Sequence, residues 1–534
     1  MYFSFLRFLT TIVISALLFS CTKRDAPATQ AHNHFRLNLK EEPKTLDPRK
    51  GGDVISSQVQ FLLFEGLVRL KDDGSFQLAQ AASYDVSADK RVYTFRLRHN
   101  TWSNGDPVTA YDFEKSWKDI LTPTFPAINA QLFYPIYNAE KAKKGLVPLD
   151  EVGVQAMDAT TLVVTLEQPT PYFFDLLSFC AFSPVHATID AKHPNESRFI
   201  SNGPFVLKDW KHNDHLLLER NPNYWNRENV RPESLYFSMV QNEATVLQMF
   251  EKGELDMIGE PLSPIPIDAI ATLKRSGRLK TRHDAATTFV TFNTTHRLFS
   301  HPKIRKAFAY AIHRKDIVDH VSQLNDCVAT NFIPPTLKNG PARSFFIDGD
   351  VDTAQKLFHE GCTELGLSPD AFQDLTYLYA HSDLNHKIAQ VLQRQWANAF
   401  GIEVKLEGLE FKTLMDRLTK RNYQFAQGFW RAQYNDPMNI LERFKCKEIP
   451  KNYPHWENPR YAHLLEASFF TTGEDRSALI ERAEEIFLDE MPLAPIYHWN
   501  YAYMLRSPLE HIDFVTVEKP VSNRYIQLDA SNPQ

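Results

Sequence analysis

Short apolar stretches alternate with amphipathic helices along almost the whole chain, and this order constrains the fold more than any single motif. Tyr93, Phe95 and Leu97 alternate with polar neighbours, as in a strand with one buried face. Asn104-Gly105-Asp106-Pro107 then reads as a turn, because asparagine and glycine tolerate the backbone that tight turns need. Thr109 with Asp112 three residues on has the spacing of a capping box. Phe113, Trp117, Ile120 and Leu121 line one face of the helix it opens. Pro302 suits the first turn of another helix, with Ile304, Phe308 and Ile312 aligned behind it. Ile388, Val391, Leu392, Trp396 and Phe400 form a third stripe. Gly401 can cap it, and Ile402, Val404 and Leu406 read as a following strand. Alternation of this kind argues for α/β layers. The aromatic stripes specify packing rather than chemistry.

At 534 residues, 43% hydrophobic and 23% charged, the chain can bury a large core without disulfide staples. Fifty-nine basic against 65 acidic side chains leave 59 − 65 = −6, a balance that disfavours a dedicated nucleic-acid binder. Glycine is scarce, at 19 residues, where average usage would give roughly 37. No two glycines are spaced as G-x-G, and G-x-x-x-x-G-K-[ST], G-x-S-x-G, H-E-x-x-H and C-x-x-C are absent too. Most motif-announced enzyme classes are thereby disfavoured.

The amino terminus reads as an address. Phe8 to Ser20 is an apolar run behind Arg7, too short to span a membrane, which takes about 20 residues, and suited to a signal-peptide core. It ends in Leu18-Phe19-Ser20-Cys21, which resembles a bacterial lipobox. Residues 1–20 are therefore expected to be a signal peptide, Cys21 to be lipidated, and residues 21–34 to form a polar tether. An ordinary secretory signal beside an incidental cysteine is the alternative. Two or more acyl chains, at about 0.8 kcal/mol per buried methylene, would hold such a chain to a membrane. Cys180, Cys327, Cys362 and Cys446 lack metal-ligand spacing and read as buried thiols, with any pairing left open.

Several segments in order resemble the extracytoplasmic oligopeptide- and dipeptide-binding proteins of ABC importers, solute-binding family 5. Glu42-Pro43-Lys44-Thr45-Leu46-Asp47-Pro48 comes first, then Leu63-Phe64-Glu65-Gly66-Leu67. The longest block runs from Tyr93 to Arg98 and from Trp102 through Asn104-Gly105-Asp106-Pro107 to Asp112-Phe113. Ser201-Asn202-Gly203-Pro204-Phe205, Asn221 to Trp225, Gly253-Glu254-Leu255-Asp256, Phe292-Asn293 and His301 to Ala307 follow, and Trp430 to Pro437 completes the series. The resemblance implies a periplasmic-binding-protein-like (type II) α/β fold of two hinged lobes with an inserted third domain. Lobe I would comprise residues 35–60, 186–286 and 501–534, domain II residues 61–185, and lobe III residues 287–500.

The same resemblance implies a ligand held as an added β-strand, so that main-chain bonds give affinity without sequence preference. The matching positions are Glu42, Pro43, Lys44 and Thr45 on one side, and Phe429, Trp430, Arg431 and Gln433 on the other. This chain departs from the family at the ends of the ligand. Gln433 stands where oligopeptide binders carry an aspartate for the α-amino group. Leu418 and Gln427 replace two arginines, Asn385 (beside His386) replaces a histidine, and Arg431 replaces a cysteine. Loss of a charged hydrogen bond, worth about 1.5–3 kcal/mol, would weaken free-ended peptides roughly 10- to 100-fold unless other groups replace it. An inward Arg431 would favour a carboxylate or phosphate on an atypical or modified peptide. Alternatively, Arg431 turns outward or pairs with a protein carboxylate such as Asp436.

The expected function is that of a lipid-anchored extracytoplasmic receptor, monomeric and not an enzyme, which hands peptides to an ABC permease and its ATPase. No cofactor, metal or nucleic-acid partner is expected. His381 with His386 and His212 with His215 are too sparse to announce a metal or haem site. The same fold binding a nickel or haem complex, an extracytoplasmic peptidase, and a scaffold or sensor receptor are the competing classes.

Overall fold

The computed structural model describes residues 34–71, 75–189, 199–230, 232–337 and 343–506. Residues 1–33, including Cys21, and residues 507–534 lie outside the described residues, so the signal-peptide and lipidation expectations and the end of lobe I do too. His34 opens the first strand, one residue inside the stretch read as tether. Among the described residues no helix is long and apolar enough to cross a membrane.

Three main sheets organise the chain. In the first, β1 (His34–Asn38) pairs in parallel with β10 (Ser234–Ser238), which continues antiparallel to β9 (His215–Arg220) and β8 (Phe205–Lys211). Between β1 and β8 in sequence lie the hairpin β2–β3 (Val68–Leu70, Phe76–Leu78) and a second sheet. Its order is β4 (Ala81–Val86), β5 (Val92–Leu97), β7 (Thr161–Thr165), β6 (Val154–Ala156). The third sheet has seven strands. Its path runs β11 (Met257–Gly259), β17 (Leu493–Leu505), β12 (Lys280–Phe292), β16 (Phe425–Arg431), β14 (Thr376–Ala380), β15 (Lys405–Leu409), with β13 (Cys327–Val328) also on β17.

Two 13-residue strands, β12 and β17, set the geometry of the molecule. One end of β17 pairs with β11, and Asp256 and Leu262 on either side of β11 bond the backbone at Arg36 and Lys40, beside β1. Farther along, β12 carries β16 and the rest of the third sheet. The long strands therefore connect two masses, and their ladder is irregular between His283 and Thr287 and between Thr288 and Phe289. Bulges of this kind bend a strand and strengthen its twist.

The sequence periodicities reappear as packing. Asp112 Oδ2 accepts from the Thr109 backbone N–H at 2.8 Å, opening the Ala110–Leu121 helix whose Phe113, Trp117, Ile120 and Leu121 are buried. Gly105 takes φ +94° in the expected turn. The Asp383–Phe400 helix ends on Gly401 at φ +69°, with Trp396 buried and its indole N–H on the Phe308 carbonyl at 3.0 Å. Two readings need correction. The Pro302–Tyr310 helix stops before Ile312, which is buried in the irregular segment beyond it. The strand read from Ile402 begins only at Lys405, where pairing to Thr376 of β14 starts; Ile402 and Val404 are core residues of the approach.

Candidate ligand cleft

Strand β16 presents the candidate residues on alternate faces, as a two-residue period requires. Gln427, Phe429 and Arg431 share one face, and Trp430 lies on the other. Gly428 between them is a packing requirement, because a β-carbon there would collide with the Phe289 ring of β12. Phe429 is 44% exposed in mid-strand and stands in a row of rings: Phe411 at 6.1 Å and Trp499 at 5.5 Å.

Arg431 does not offer a free cation. Its Nε donates to Asp284 Oδ2 at 2.6 Å, and its guanidinium lies 5.4 Å over Trp499 and 4.8 Å over Tyr501. Burial opposes its charge, but Asp284, Tyr501 and Glu260 together more than offset this, so the group is held above its ordinary pKa. Asp284 sits in the irregular stretch of β12, its side chain 1% exposed. The anion expected at Arg431 thus finds the position already neutralised. Asp436, named as a possible partner, is held instead by Arg476 through two bonds of 2.7 and 2.8 Å.

Gln433 is where the two masses meet. Its Nε2 donates 3.0 Å to Asn129 Oδ1, and Asn129 Nδ2 donates 2.7 Å to the Gly51 carbonyl. Beside this contact Tyr434 stacks on Tyr172 at 4.8 Å and 12°. Behind the rings three acids crowd one another. Burial and Asp436 push the Asp175 carboxyl well up; burial pushes Glu442, which accepts from Tyr434 Oη at 3.1 Å, up to about 7. Elsewhere burial raises Asp326, whose Oδ1 accepts from the Asn500 backbone on β17, to about 6. A carboxyl whose pKa is raised by folding keeps its proton in the folded state while the unfolded chain has lost it, so stability falls as pH rises through that window. Thermal melting should therefore be higher at pH 5 than at pH 8, with the decline between about 4 and 7. A melting point that climbs over that range would contradict the assignment.

The remaining positions divide into interior and polar groups. Leu418 is buried with Leu378, Leu414 and Tyr423 and belongs to the core. Asn385 Nδ2 donates to the Ala380 carbonyl at 2.9 Å, which orients its oxygen to receive Gln427 Nε2 at 2.7 Å. Gln427 Oε1 is then left buried without a hydrogen-bond partner. A buried acceptor left unmade costs about 1–3 kcal/mol, so a ligand N–H is a fitting complement. Trp430 donates to Asn439 Oδ1 at 2.9 Å and lies under the Arg443 guanidinium at 3.7 Å. Burial lowers Arg443 to about 10.

Glu42 to Thr45 is bonded to the end of β8 and to the helix Val54–Leu63. Trp210 Nε1 donates to Glu42 Oε1 at 2.9 Å, and His212 Nδ1 lies 2.6 Å from the same oxygen, so one oxygen of this carboxylate is already occupied. Pro43 is buried and Lys44 exposed. Ser56 Oγ receives the Lys44 N–H at 2.9 Å, and Thr45 O receives Gln60 Nε2 at 3.0 Å. Ser56 and Gln60 both lie on the Val54–Leu63 helix, whose N-cap Asp53 borders a cavity shared with Gln433. The two candidate segments are thus linked through this helix rather than by direct bonds. Asn129, Asp53 and Asp284 escaped the sequence reading, because no local pattern marks a residue whose partner is brought in from another sheet.

His386 and His215 are held by hydrogen bonds: His386 Nδ1 lies 2.6 Å from Tyr379 Oη, and His215 Nε2 lies 2.9 Å from Asp209. Cys180 and Cys362 are buried thiols as read, whereas Cys327 and Cys446 are only half-buried. Cys446, Glu448 and Glu457 form an outer cluster, with Lys447 at 2.9 Å from Glu457.

Residues 75–451 match the family described as bacterial extracellular solute-binding proteins, family 5 Middle. The oligopeptide-binding protein OppA of Bacillus subtilis is 36% identical over 92% of both chains, and the dipeptide-binding protein DppE of the same organism 31% over 93% of both. A crystal structure of Haemophilus influenzae OppA in complex with the peptide RPPGFSPFR superposes with a TM-score of 0.75 at 27% identity, covering 93% of this chain and 98% of that one. The mixed α/β architecture is accordingly the type II periplasmic-binding fold of two lobes. With more than half its length matched, this chain belongs to the bacterial extracellular solute-binding proteins of family 5.

Proposed function

We propose that the protein captures peptides between its lobes and delivers them to the permease of an ABC importer, held to a membrane by lipid on Cys21. In this reading lobe I comprises residues 35–60, 186–286 and 501–534, domain II residues 61–185, and lobe III residues 287–500, and the protein acts as a monomeric receptor without enzymatic activity. The observation that carries the reading is the meeting of Gln433 with Asn129 beside a residual cavity. Residues that the ligand would touch are the ones at which the two masses come together, so a bound molecule is enclosed as they close. Main-chain bonding along β16 suits a peptide, and the relatives support it: OppA and DppE are named for oligopeptides and dipeptides. With Arg431 neutralised by Asp284, no acidic modification of that peptide is needed.

Mass spectrometry of whatever is released when the purified protein is denatured tests this directly. Intact short peptides are the expected result. A metal or haem complex, or another non-peptide solute, would replace the reading. Accumulation of cleaved peptides on incubation with a peptide pool would move it to the peptidase class.

A further inference from the structure

The cavity at the meeting of the lobes has a volume of about 40 Å³, where about 10–15 Å³ admits one water. Asp53, Ser57 and Phe179 line it on one side, and Asn129 and Gln433 complete it. Its polar groups can be assigned from fixed points outward. The Gly51 carbonyl can only accept, so Asn129 must present Nδ2 to it. Asn129 Oδ1 must then receive a donor, and Gln433 supplies its Nε2. Gln433 Oε1 is thereby left as an acceptor. Ser57 Oγ donates to the Asp53 backbone carbonyl at 2.9 Å.

Among the described residues, Asp53 is the only charged one lining this cavity. Its carboxylate caps the Val54–Leu63 helix, accepting the Ser56 N–H on Oδ1 and the Ser56 hydroxyl on Oδ2, each at 2.8 Å. A carboxylate has about four lone-pair sites, so one remains on each oxygen. The cavity therefore combines a partly free carboxylate and a free amide oxygen, with no cation among its lining residues. That set complements a small cationic donor and repels an anion.

We infer that this cavity is an ammonium site and that Asp53, contributed from the side facing Gln433, is its anchor. The occupant is an amine of the bound peptide, either its terminal amino group or a lysine side chain. The carboxylate thus stands on the helix cap rather than at position 433, and Gln433 contributes an oxygen while holding the lobes together. The inference rests on the peptide reading above.

Calorimetry with matched peptide pairs tests it, one pair differing only by acetylation of the terminal amine and another only by norleucine in place of lysine. The wild-type protein is expected to favour one amine-bearing member at least about tenfold, the effect of roughly one charged hydrogen bond. Asp53→Asn keeps the helix cap, since asparagine caps as well as aspartate, and should reduce that ratio to within about threefold. Gln433→Asp on the Asp53→Asn background places a carboxylate on the opposite wall and should restore the preference. Which pair discriminates identifies the amine. The inference is overturned if neither pair discriminates in the wild type, or if Asp53→Asn leaves the ratio intact. Failure of the wild type to bind any of these peptides would instead remove the peptide reading itself, and this occupant with it.

Discussion

Replacing Asp284 by alanine is expected to cost about 3–5 kcal/mol of stability, the range for breaking a buried ion pair by removing one partner. The side chain is 1% exposed and Arg431 only 14%. Without Asp284 the guanidinium keeps its aromatic neighbours Trp499 and Tyr501 and the more distant Glu260, but loses the carboxylate it is hydrogen-bonded to. A large loss should appear in urea denaturation as a lower midpoint at nearly unchanged slope. Arg431→Met added to Asp284→Ala should recover most of it, because replacing both ions by apolar groups is often neutral. If the single variant loses less than about 1 kcal/mol, the well-solvated behaviour of a surface pair would be the better description. The pair also ties the end of β16 to the irregular stretch of β12, so its loss should loosen that part of the sheet as well.

Arg476→Met should be comparably damaging and, unlike the first, strongly pH-dependent. Arg476 holds Asp436, which is 6% exposed, and Asp436 in turn acts electrostatically on Asp175 and Glu442. Removing the cation leaves three acids crowded behind the Tyr172–Tyr434 stack. Near pH 8 the loss should reach about 3–5 kcal/mol. Near pH 5 it should shrink, because protonation of the raised carboxyls relieves the repulsion. Parallel denaturation of wild type and variant at the two pH values measures this. An equal or greater loss at pH 5 would show that Arg476 acts through packing rather than charge.

Legibility from sequence followed the range of the forces involved. Helices with a cap and an apolar stripe, such as Ala110–Leu121 and Asp383–Phe400, are specified within a dozen or so residues and were readable. Boundaries were less so: Ile312 and Ile402 are buried outside the elements they extend, because burial does not require regular backbone. Phe429 and Trp430 entered the sequence reading only as ligand positions implied by the resemblance; that they lie on opposite faces of one strand follows from the two-residue period of β16. The chemistry of Arg431 was not readable, since its partner Asp284 lies 147 positions away.

The sequence by itself determined the α/β class, the family and the absence of charge at position 433, because these depend on residue identity, local period and ordered motifs. Only the tertiary structure decided which charges remain available. Long strands β12 and β17 bring distant segments into one sheet and cancel Arg431 with Asp284, and folding brings Asp53 and Gln433 to the lining of one cavity. Coulomb attraction and desolvation act through space rather than along the chain, so a side chain's charge is written in the sequence while its availability is settled by what folds against it.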